Sequence, residues 1–137
     1  MEASENQKTI LLVDDDIHIV GFVGKILTDR GYAVITANNG ADAIGKSKAY
    51  PGEIALLLSD FQMPGISGVE LAVQLTVDRP HLKVLLMSGF PEGMLVLNEG
   101  WHFMANPFVA SQLCALILGL IYPAHKSRYS DHIPSSN

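Results

Sequence analysis

The chain alternates short, wholly apolar runs with longer stretches in which apolar residues recur every three to four positions. Residues 9–13 (TILLV) form the first run, which ends abruptly in three acids, Asp14, Asp15 and Asp16. Such a run, with no polar alternation, is the pattern of a strand buried on both faces. A helix is predicted next, with Ile19, Val20, Val23, Ile26 and Leu27 on one face and Gly31 closing it. Gly21 and Gly24 lie inside it, each costing about 1 kcal/mol relative to alanine, so the helix needs tertiary support. Residues 33–37 predict a second strand, Asn38, Asn39 and Gly40 a turn, and residues 41–50 a weaker helix stopped by Pro51 and Gly52. A third strand is predicted over residues 54–59, followed by Asp60 and a turn forced by Met63, Pro64 and Gly65.

In the second half, Gly68, Leu71, Ala72 and Leu75 fall at helical spacing behind Ser67, a suitable N-cap. Residues 82–87 predict a fourth strand ending in Ser88 and Gly89, and Pro91 opens a short helix carrying the apolar residues 94–97. Residues 101–105 predict a fifth strand closed by Asn106 and Pro107. The last helix is predicted over residues 109–122, with Leu113, Leu116, Ile117 and Leu120 inward and Leu118 off that face. Strands separated by single helices are the signature of repeated βα units. The predicted fold class is α/β: a doubly wound, flavodoxin-like sheet of five parallel strands in the order 2-1-3-4-5. One domain over residues 8–122 is expected, with polar tails over 1–7 and 123–137.

Composition narrows the function classes. The 137 residues carry a formal net charge of −5 with scattered Lys and Arg, which leaves no basic footprint for nucleic acid. A single cysteine, Cys114, excludes an internal disulfide and, within an apolar run, is expected to be buried and inert. No apolar run is long enough for a membrane span and residues 1–7 lack signal-peptide features, so a cytoplasmic location is expected. The five histidines, His18, His81, His102, His125 and His132, show no metal-ligand spacing.

In the predicted strand order, Asp14 and Asp15 at the end of strand one meet Asp60 at the end of strand three, with Ser88 and Asn106 ending strands four and five. Carboxylates converging at a topological switch point repel one another, which raises their pKa values or demands a cation. A hard divalent ion suits oxygen ligands, and Mg2+ accepts few protein ligands plus waters. Beside such an ion a carboxylate becomes a competent nucleophile toward phosphorus. Taken singly, each feature has a plainer explanation: the three acids could cap the first helix, and Ser88–Gly89 could be only a turn.

The series LLVDDD, LLLSDFQMPGISGVEL, VLLMSGF and FMANPF resembles the receiver domain of two-component response regulators, most closely receivers attached to hybrid sensor histidine kinases. The resemblance covers residues 8–122. It implies that Asp60 is the phospho-acceptor and that Asp14, Asp15, Asp60 and the backbone carbonyl of Gln62 hold Mg2+. It implies further that Ser88 is the switch hydroxyl and Phe103 the aromatic that changes rotamer. The expected partner is a histidine kinase or a histidine phosphotransfer protein, the expected behaviour that of a phospho-acceptor rather than a conventional enzyme. The signal would leave through the short helix after Pro91, the fifth strand and the last helix, which together form a possible homodimer or partner surface.

One departure stands at Asn106, where the family carries a lysine. Asparagine keeps a hydrogen-bond donor but no positive charge. A pseudo-receiver, acting as an interaction module with impaired phosphorylation, is therefore the alternative reading. A Mg2+-dependent phosphohydrolase would need a substrate-binding cap, and no insertion here is long enough to form one.

Overall fold

The computed structural model describes residues 7–88, 101–105 and 108–122. Five parallel strands, β1 (Thr9–Val13), β2 (Ala33–Ala37), β3 (Leu56–Asp60), β4 (Lys83–Ser88) and β5 (Trp101–Ala105), pair in the order β2-β1-β3-β4-β5. Helices α1 (Ile17–Asp29), α2 (Gly40–Ala49) and α3 (Gly68–Asp78) lie between them, and α4 (Ala110–Ile121) follows β5. This is the flavodoxin-like arrangement predicted from the apolar runs. Residues 1–107 and 108–137 form two compact units, the second containing α4. The short helix predicted from Pro91, the Asn106–Pro107 turn and most of both tails lie outside the described residues.

The apolar runs lack polar alternation because both sheet faces are covered. Leu11, Val13, Leu57, Val84 and Leu86 join Ala43 of α2 and Leu71, Ala72 and Leu75 of α3 in one buried cluster. The alternate residues Ile10, Leu12, Leu56, Leu58, Leu85 and Met87 are also fully buried, on the opposite face. There Gly24 of α1 comes close enough to Leu12 that a β-carbon would sit 3.7 Å from its Cδ2. Burying each such leucine or isoleucine is worth about 1.5–3 kcal/mol, so these strands dominate the driving force of folding.

Boundaries shift where pairing overrides pattern. β3 was expected over 54–59 but runs over Leu56–Asp60, because pairing with β1 starts at Ile10↔Leu56 while pairing with β4 continues to Asp60↔Met87. β4 likewise extends to Ser88, opposite Ala105. α2 begins at Gly40 because Asn39 is its N-cap, accepting a 2.8 Å bond from the Asp42 amide. Ser67 caps α3 as expected, in a reciprocal box with Glu70. In α4 the buried residues are Leu113, Cys114, Ile117 and Leu120; Leu116, expected inward, is only half-buried and Cys114 takes its place. Leu118 is exposed, as expected.

Arg79 fixes α2 against α3. Its guanidinium donates to Ser47 Oγ, to the carbonyls of Ser47 and Gly52 at 2.9 Å, and to that of Tyr50 at 3.0 Å. The planar fork thus satisfies carbonyls that the end of α2 leaves open, which an ammonium group could not match in geometry.

Gly21 has no such structural reason, since a β-carbon there would meet nothing within 4 Å. Gly21→Ala is expected to raise stability by about 0.5–1 kcal/mol through helix propensity and a smaller unfolded-state entropy. A urea midpoint that stays put or falls would contradict this.

Candidate functional site

The acids meet because of strand register. Val13 pairs with Ser59, so the chain leaves β1 into Asp14 and Asp15 at the level where β3 ends in Asp60. One carboxylate oxygen from each of the three lies within 4.8 Å of the others. Among the described residues this is the only group of metal-ligating side chains so placed. The run of three acids is divided in role: Asp16 is the N-cap of α1 and accepts a 2.9 Å bond from the His18 amide. Capping therefore explains Asp16 and leaves Asp14 and Asp15 to the cluster.

Asp14 is 6% exposed, the most buried of the three. Its amide donates to the Ala37 carbonyl at 3.2 Å, and its Oδ1 accepts from the Asp16 amide at 2.9 Å. Burial pushes its carboxyl up to about 6; the bond from Asp16 opposes this, and the charges of Asp60, Asp15 and Asp16 add to it. Asp60 is also raised, first by burial and then by Asp15, against hydrogen bonds from the backbone of Gln62 and Phe61. The ion pairs Lys25–Asp29 and Lys46–Asp42 do not involve the cluster. Two raised carboxyls beside a third acid form a donor set suited to a hard cation, which would replace the missing hydration and offset the repulsion.

The loop after Asp60 is held at both ends. The Phe61 amide donates to the Met87 carbonyl at 2.8 Å, and the Gly68 amide to the Phe61 carbonyl at 2.9 Å. A β-carbon at Gly68 would overlap the Asp60 carbonyl oxygen and lie 3.1 Å from Asp60 C and Phe61 Cα, so α3 starts directly against the Asp60 peptide. Between these anchors Gly65 turns the chain at φ +84°, and Gln62 is exposed beside the cluster.

Ser88 is the last residue of β4, one past Met87, the partner of Asp60. Phe103 lies in β5 opposite Leu86, half-buried. Asn106 is outside the described residues. Sequence reasoning missed Phe61, whose ring sits 5.7 Å from that of Phe103 at 55°, tying the residue after Asp60 to β5. Its signal was an aromatic next to the acid and another two strands away, at the level of Ser59.

The raised Asp14 fixes a sign. Its folded-state pKa, about 6, exceeds its ordinary 3.8, so the folded state holds the extra proton. In chelator, its contribution to stability is complete below pH 4 and is lost as pH rises through about 6. Asp14→Asn is therefore expected to stabilise the metal-free protein at pH 7 by about 1–2 kcal/mol, after allowance for solvent screening, and to flatten the profile between pH 4 and 7. Chemical denaturation across that range checks it, and an unchanged slope would refute the assignment.

Comparison with known proteins agrees with this geometry. Residues 10–113 match the family described as the response regulator receiver domain. Over 106 residues the chain is 40% identical to the response regulator receiver protein CpdR of Brucella abortus (strain 2308), covering 69% of this chain and 87% of that one. It is 29% identical over 113 residues to the sensor kinase CckA of the same organism, covering 80% of this chain but only 12% of the kinase. The solved receiver domain of the hybrid histidine kinase CckA superposes with a TM-score of 0.74 at 27% identity, over 82% of this chain and 98% of that one. The response regulator TrrA of Thermotoga maritima, solved in complex with Mg2+ and BeF, superposes with a TM-score of 0.74 at 28% identity, over 83% and 99%. With the family's match spanning β1 to α4 and the acids gathered at the ends of β1 and β3, the chain belongs to the response regulator receiver domains of two-component systems.

Proposed function

We propose that Asp60 accepts a phosphoryl group from a phosphohistidine of a histidine kinase or histidine phosphotransfer protein, in a Mg2+-dependent reaction. A carboxylate oxygen of Asp60 forms a bond to phosphorus as the phosphorus–nitrogen bond to the donor imidazole breaks, and the imidazole recovers a proton. The product is an acyl phosphate on Asp60, so each molecule is loaded once rather than turning over a substrate. The observation that carries this reading is the convergence of Asp14, Asp15 and Asp60 within 4.8 Å at the carboxyl edge of the sheet.

The residues that would hold Mg2+ are Asp14, Asp15, Asp60 and the backbone carbonyl of Gln62; the metal observed in the TrrA complex supports this assignment. When bound, Mg2+ supplies charge neutralisation for the transferring group. Ser88, the last residue of β4, would donate a hydrogen bond to the phosphoryl oxygens. Phe103 would report the change to β5, a role supported by the packing of its ring against Phe61. Output through α4 is supported by the exposed Leu118 on that helix and the exposed Tyr122 that caps its end.

Incubation with Mg2+ and a small acyl phosphate is expected to add one phosphoryl group to the intact mass, released by hydroxylamine and absent in Asp60→Asn. Mg2+ should raise the melting temperature of the parent by linkage but not that of Asp15→Asn. An equal rise in that variant would show that the metal site is misplaced.

Asn106 favours a second reading, an interaction module whose phosphorylation is impaired. Three carboxylates with Mg2+ leave the site near −1, and forming the acyl phosphate replaces the single charge of Asp60 by roughly −1.5 to −2, making the site more negative still. A lysine would offset one unit at close range in a partly dehydrated pocket. Asn106→Lys is therefore expected to speed phosphoryl uptake and enlarge the amide-shift changes around Phe103. Coincident uptake kinetics and shift maps for the two proteins would show that asparagine is a neutral replacement.

A further inference from the structure

The β2–α2 turn, residues 37–40, contributes no ligand to the acid cluster, yet both arms of the cluster rest on it. The Ala37 carbonyl accepts the Asp14 amide bond at 3.2 Å. On the other side, Ile66 of the Asp60 loop lies over the bare Cα of Gly40, where a β-carbon would overlap Ile66 Cγ1 and Cδ1. Gly40 does not have the positive φ that demands glycine. The Ile66 side chain is what a β-carbon there would have to displace.

The turn is a firm seat. Asn39 Oδ1 accepts from the Asp42 amide at 2.8 Å, Asp42 Oδ2 from the Asn38 amide at 3.3 Å, and the Thr36 carbonyl from Lys46 Nζ at 2.6 Å. At its far end α2 is pinned by the four bonds from Arg79. A group added at Gly40 is therefore relieved on the loop side, because the helix is fixed at both ends. Ile66 is four residues from Gln62 and two from Gly68, within the short span whose other contacts set the Asp60 peptide.

We propose that residues 37–40 are a positioning element for the phosphoryl site, with Gly40 and Ile66 as a contact that sets the Asp60–Gln62 backbone. The inference rests on the function proposed above and extends it to residues that touch neither metal nor phosphoryl group. Its physical content is that a methyl group added outside the site moves the ligand-bearing loop.

Amide-shift mapping of the metal-free protein and Mg2+ titration, each on Gly40→Ala and Gly45→Ala, test this. Gly45 lies on the same helix with nothing within 4 Å of an added β-carbon, so its variant controls for helix propensity. Gly40→Ala is expected to shift the amides of Asp60, Phe61 and Gln62 and to weaken Mg2+ binding about tenfold, the scale of losses in residues that orient ligands. Gly45→Ala should do neither. In the double variant Gly40→Ala with Ile66→Ala, the loop amides and the affinity should return toward the parent. If Gly40→Ala fails to fold, Ile66→Ala alone takes its place and should move the same amides. The inference is overturned if these variants disturb only α2 and residue 66, with Ile66 rotating into the adjacent groove of about 570 Å3 lined by Ala41, Ile44, Pro64 and Gln74. A parent that binds no Mg2+ defeats the metal assignment instead, and the amide map still decides the positioning role.

Discussion

Three carboxylates held within 4.8 Å of one another are unfavourable, and the rest of the domain is arranged to impose that placement. The parallel register of β1 against β3 sets it, since Val13 opposite Ser59 leaves the acids nowhere else to go. That register is in turn fixed by leucines buried on both faces, where slipping by one residue would exchange the two faces' side chains. The hydrophobic core thus holds an electrostatic strain that appears as the raised carboxyls of Asp14 and Asp60. A folded state carrying such strain is poised to bind whatever relieves it, and a cation relieves it most directly.

The loop after Asp60 shows how the same framework supplies precision rather than only proximity. Gly68 lets α3 begin against the Asp60 peptide, the Phe61 amide bonds to Met87 of β4, and the Phe61 ring packs on Phe103 of β5. The residue that follows Asp60 is thus tied to β4 by its backbone and to β5 by its ring. Neither link requires a charged side chain. Packed elements of this kind shift between discrete arrangements rather than deforming smoothly.

Most of the fold was legible because its strands are buried on both faces, so that wholly apolar runs mark them, and because the first three helices carry ordinary caps. β1 and β5 fall where the pattern puts them, and the acid cluster follows from strand order alone. What could not be read depends on contacts between segments distant in sequence. The late start of β3 and its extension to Asp60 reflect its pairing with β1 and β4, and the partial exposure of Leu116 reflects surroundings the helical period cannot supply. The division of labour within the acid run, with Asp16 as cap, is a matter of hydrogen-bond geometry invisible in the letters DDD. Phe61 escaped notice and Gly40 was read only as a turn residue, because a lone aromatic or glycine acquires meaning only from the residue that lies against it.

Under the proposed function, Asn106 would change how charge is balanced at such a site. Where a lysine would bring a fixed positive charge on the protein itself, asparagine leaves the compensation to come from solution. Metal and phosphoryl group would then each favour the other's binding, and by reciprocity of linkage the coupling must be equal in both directions. Such a site gains sensitivity to the divalent cation at the expense of autonomy. It also places more weight on the backbone that presents the ligands, because a mobile cation finds its geometry only from the groups around it. The firm seating of the Asp60 loop on Gly68 and on the β2–α2 turn is the structural counterpart of that demand.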